Sequence, residues 1–169
     1  MTIPPQQPEW DPALDPARLA EANINPLTGL STDYLNHFNE AIMLLEMLPM
    51  APDCRADFLA WRPMSYSQHF AASTFRHREL AILAYEAANP AIRGELDTLA
   101  DTMTEVLTAI REAMELGSPT GASDMLAERA VAWLKPLVAR AGAVINAADI
   151  AGEAPQATVD ALMRHNNGG

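Results

Sequence analysis

Four residues have the types and spacings that could do chemistry: His37 and Glu40, three apart, and His69 and His77, eight apart within the run SQHFAASTFRHRE at 67–79. On an α-helix a three-residue step keeps two side chains on one face, so His37-x-x-Glu40 aims an imidazole and a carboxylate at a common point. Carboxylate-bridged metal centres in helical bundles use such pairs in the order Glu-x-x-His, one on each of two helices, with single Glu ligands from the others. This chain has the reversed order once and the forward order nowhere. His77-x-Glu79 is no chelate, because a two-residue step turns about 200° around the axis, and His69 and His77 on one helix would stand about 12 Å apart. A divalent metal ion would therefore need His37, Glu40 and one of His69 or His77 on facing helices. The alternative is a set of half-exposed polar residues with ordinary hydrogen bonds.

His77 also suggests phosphotransfer. A mid-helix acceptor histidine needs small neighbours and nearby positive charge, and Ser73, Ala81, Arg76 and Arg78 supply both. Against this, Tyr66, Phe70, Ser73, His77, Ala81, Ala84 and Ala88 form one stripe at three- and four-residue steps, which is how a core seam looks. A buried histidine is a poor acceptor. Glu79 and Glu86 are two turns apart, about 10 Å, too far for paired acid and base work unless their side chains bend together. Gly-x-Ser-x-Gly and Gly-rich phosphate loops are absent. Cys54 stands between Asp53 and Arg55, whose charges oppose each other at a thiol. No catalytic residue is named, and an enzyme is not expected.

Several elements must position these residues. Six prolines fall at positions 4, 5, 8, 12, 16 and 26, so residues 1–28 read as a Pro-rich flexible arm, mobile or draped over the surface, with no helix longer than 16–23. A first helix should start after Ser31, bury Tyr34, Leu35, Phe38, Ala41, Ile42, Leu45 and Leu48, and stop at Pro49. The stretch 49–64 holds a short amphipathic segment that would fold back as a lid through Phe58, Leu59 and Trp61. A second helix is expected over 65–89, opened by the capping box Ser65-x-x-Gln68. Asn89-Pro90 then caps a third, with the repeat Ile92, Leu96, Leu99, Met103, Val106, Ile110 and Met114. A fourth, over 124–148, would bury Leu126, Ala130, Trp133, Leu137, Ala141, Val144 and Ala148, with Pro136 kinking it near Ala132 rather than stopping it.

The expected fold is thus all-α: an antiparallel four-helix bundle at 29–148, with a lid between its first two helices, an arm before it and a tail at 149–169. The low aromatic content of 6% and the lack of β-branched runs agree with helices.

With a formal charge of -11, the average surface repels nucleic acid and anionic membrane, so neither is an expected partner. A single cysteine rules out an intrachain disulfide, and no segment offers about 18 uninterrupted apolar residues. A cytoplasmic location is expected. Four of the nine methionines, Met43, Met47, Met50 and Met64, flank the lid and suggest an adaptable apolar patch. The functional expectation is a non-enzymatic, regulatory interaction protein that binds a protein or small apolar partner through Met47, Met50, Phe58, Trp61 and Met64. A homodimer is compatible with the very apolar first helix. A metal-binding bundle and a phosphotransfer-like protein are the alternatives.

Overall fold

The computed structural model describes residues 11–117 and 120–147. The described residues form helices and no strand: α1 (Pro16–Glu21), α2 (Leu35–Met47), α3 (Cys54–Ala60), α4 (Tyr66–Ala72), α5 (Arg78–Ala87), α6 (Pro90–Glu115) and α7 (Thr120–Ile145), with 3-10 turns at Pro12–Leu14 and Thr32–Tyr34. The starts follow the capping residues. Ser31 accepts a hydrogen bond from the Asp33 amide at 3.2 Å, and Ser65 and Gln68 form both halves of a capping box. Asn89 accepts from the Ala91 amide at 2.9 Å with Pro90 as the first helical residue.

The expected second long helix is two short ones. Ser73 donates its hydroxyl to the Phe70 carbonyl at 2.8 Å and accepts from the Phe75 amide at 3.3 Å, so its side chain takes the place of the next helical bonds. α4 ends there, and His77 takes the N-cap position of α5 without a side-chain capping bond. Tyr66, Phe70, Ala81, Ala84 and Ala88 of the stripe are buried, whereas Ser73 and His77 are half-buried. Tyr85 ties α5 to α6 by donating to the Asp97 carboxylate at 2.8 Å.

Of the two forms open to the arm, residues 11–28 take the draped one, packed against the helices. α1 closes through Asn23, which takes a positive φ of 58°, and the Ile24 amide donates back to the Leu19 carbonyl at 2.8 Å. That closure buries Leu19, Ala22 and Ile24, while the buried Thr28 hydroxyl donates to the Ile145 carbonyl at 2.7 Å, at the far end of α7. Gly29 completes the loop at φ +72°, where an added Cβ would stand 2.9 Å from the Ala84 carbonyl oxygen of α5. Gly29→Ala should therefore destabilise the fold by about 2 kcal/mol, through left-handed strain and the forced shift of α5. Urea unfolding checks this, and an unchanged midpoint would mean the loop does not dock as described.

α6 and α7 form an antiparallel hairpin, with Glu95 opposite Arg140 and Ile110 near Leu126, and α2 packs along the other side of α7. α7 runs through Pro136 without a stop. The buried faces differ from the expected stripes. α6 buries Leu96, Leu99, Ala100, Met103, Leu107 and Met114, leaving Val106 and Ile110 only half-buried. α7 buries Ala127, Ala130, Leu134, Ala141, Val144 and Ile145, and Trp133 lies 69% exposed. On α7 the small Ala127 and Ala130 permit close helix approach, so the larger residues beside them turn outward. Ala148 and the tail at 149–169 lie outside the described residues, as do residues 1–10.

Candidate functional site

The segment expected as a lid is α3 with its flanks, and it is bonded down. The Trp61 indole donates to the His37 carbonyl at 3.1 Å, and the Met64 amide donates to His37 Nε2 at 3.1 Å. Tyr34 donates its hydroxyl to the Met64 carbonyl at 2.9 Å, and Arg111 of α6 donates to the Trp61 carbonyl at 3.2 Å. Phe58 and Trp61, named from sequence as partner-binding, are instead 1% and 8% exposed and belong to the core. Met64 is half-buried, and only Met47 and Met50 of that set are exposed.

His37, Glu40 and His69 do come together, with Asn36, Met64 and Ser73, around a cleft of about 210 Å³. The two imidazole rings lie 5.9 Å apart, and His37 stacks on Trp61 at 4.6 Å. Burial, and secondarily the neighbouring His69, lowers the pKa of His37 from 6.5 to about 4. Burial also lowers that of His69, while the backbone hydrogen bond and charge of Asp33 pull it back. His37 is therefore neutral at pH 7, with Nε2 taken by a backbone amide.

Among the described residues, no group of three or more His, Cys, Asp and Glu is placed to hold an ion. His77 is elsewhere, its ring 5.8 Å from Phe75 at the start of α5, so it is not the mid-helix acceptor that the sequence suggested. Cys54 is buried and free.

The feature that the periodicity hid is on α6 and α7. Val106, Ala109 and Ile110 face Leu126, Ala130 and Trp133 across an apolar cleft of about 360 Å³, with Glu105 and Arg129 at its edges. Four of the positions assigned to the core, Val106 and Ile110 on one helix and Leu126 and Trp133 on the other, have turned to the same outer groove. A sequence signal existed: α7 carries a second apolar stripe, Ala127, Ala130, Leu134 and Ala141, which can serve as its buried face and leaves Trp133 outside. A smaller cleft beside Pro49 and Ser123 was also not foreseen.

The chain matches no family model, no curated protein and no solved structure. No helix among the described residues is long and apolar enough to cross a membrane.

Proposed function

We propose that this chain is a non-enzymatic interaction protein, a helical bundle covered by α3, whose α6–α7 groove receives one amphipathic helix with basic flanks. The observation that carries this is Trp133, 69% exposed beside an apolar groove. Fully burying a large apolar side chain is worth about 2–3 kcal/mol, and here that gain is left unrealised within the described chain. Tryptophan anchors are frequent energetic centres of interfaces, and paired helices present the groove that an i, i+3, i+4, i+7 apolar face fits.

Charge selects the occupant. Glu105 and Arg129 at the groove edges offset each other, so the bias comes from the chain as a whole, whose formal charge is -11 and whose Lys135 and Arg140 are already paired with Glu46 and Glu95. A second copy would bring another -11 to this acidic surface, while a basic helix meets complementary charge.

The test is a titration of the full chain with three labelled helical peptides of about four turns: leucine at the apolar positions with lysine elsewhere, the same with glutamate, and a scrambled lysine version. The basic amphipathic peptide should bind with a Kd of order 10 μM and weaken with salt, and the other two should bind at least about tenfold more weakly. Equal binding of the acidic peptide would overturn the reading. So would a micromolar homodimer that Trp133→Ala dissolves, which would assign the groove to a second copy.

A further inference from the structure

A second cleft, of about 140 Å³, lies between the loop that follows α2 and the first turns of α7. Leu48, Pro49, Pro52 and Met114 give it apolar walls, and three polar side chains complete it: Arg55, Ser123 and Asp124. Ser123 is 3% exposed, and its Oγ has no hydrogen-bond partner. Buried hydroxyls in folded proteins are almost always bonded, so an orphan on a cleft wall calls for a partner from outside the chain. Arg55 is held in place by donating Nη2–H to the Met114 carbonyl at 2.8 Å, at the end of α6, and a guanidinium keeps four further donors. No salt bridge among the described residues joins Arg55 to Asp124.

We propose that this cleft binds a small zwitterion with an apolar body, an α-amino acid of about the size of valine or leucine. The space is close to that of a cavity that accepts benzene, about 150 Å³. The two fixed charges on the cleft cancel, so neither a lone anion nor a lone cation is favoured, and a molecule bearing both signs matches each. Its carboxylate accepts from Arg55 and the Ser123 hydroxyl, its ammonium group donates to Asp124, and its side chain covers the apolar walls. The site uses none of the groove residues and stands independently of the interaction reading.

The experiment is an NMR titration of the full, isotope-labelled chain with L-leucine, L-valine, isovalerate and isopentylamine, each to about 10 mM. L-Leucine and L-valine should shift the Ser123 and Asp124 amides and the Met114 methyl. Isovalerate and isopentylamine, each lacking one charge, should bind at least about fivefold more weakly, the worth of one or more hydrogen bonds. Ser123→Ala should weaken L-leucine about fivefold while leaving the melting temperature of the free protein unchanged or raised, because no internal bond is lost. The proposal is overturned if neither amino acid shifts those signals, or if isovalerate or isopentylamine alone equals L-leucine. It fails equally if Ser123→Ala binds as the parent does, or if that variant melts lower, which would show the hydroxyl already bonded.

Discussion

Acidification from pH 7 to about pH 4 is expected to remove about 3 kcal/mol of folding stability through His37. The ring is 3% exposed, stacked on Trp61, and its Nε2 accepts from the Met64 amide, so protonation requires both a buried charge and the loss of that bond. In the unfolded chain the imidazole protonates near its ordinary 6.5, and in the folded chain only near about 4. Between those values the unfolded state binds more protons, so stability is full above about pH 6.5 and falls as pH drops toward 4. His69, also lowered by burial, acts in the same direction. The overall charge acts the other way, because titrating carboxylates relieves the self-repulsion of a -11 chain, so the comparison must be with a variant. His37→Gln keeps an acceptor near the Nε2 position and removes the titration. The stability difference between parent and variant, from urea unfolding at several pH values, should shrink by about 3 kcal/mol from pH 7 to pH 4. Parallel pH profiles would show that His37 is not the buried neutral group described.

Trp133→Ala is expected to weaken binding of the basic amphipathic peptide by about tenfold or more, the minimum for an anchor that supplies about 1.4 kcal/mol. Because the side chain is 69% exposed in the isolated chain, folding stability should change by no more than about 0.5 kcal/mol. The pairing of those two results is what distinguishes an interface residue from a core residue. Lost stability with retained binding would place Trp133 in the core instead.

Trp61 and Trp133 show what could be read from the sequence and what could not. The helical class, the caps at Ser31, Ser65 and Asn89, and the short α1 follow from local rules, since each depends on residues within one turn. The fate of an apolar residue depends on which of two competing faces finds a neighbour. Trp61 reads as a partner contact because it follows a short segment among prolines, yet His37, Tyr34 and Arg111 supply bonds that fix its surroundings to α2 and α6. Trp133 reads as core because it continues a three-and-four repeat, yet the alanine stripe beside it packs closer. The break at Ser73 was hidden for a related reason: a hydroxyl that ends a helix has the same spacing as one that decorates it. The meeting of His37, Glu40 and His69 was legible only as a condition, because local spacing does not say which faces of the first two helices meet. The bond from the Met64 amide that occupies His37 Nε2 was not legible at all, because it joins residues 27 apart.

The central claim rests on where a helix docks. The most direct measurement is chemical-shift mapping of the full chain against the basic amphipathic peptide. The largest shifts are expected at Val106, Ala109, Ile110 and Leu126 and at the Trp133 indole, with the glutamate peptide needing at least about tenfold higher concentration to produce them. An unmoved Trp133 indole, with shifts gathered on Met43, Met47 and Met50 or spread evenly over the acidic surface, would contradict it.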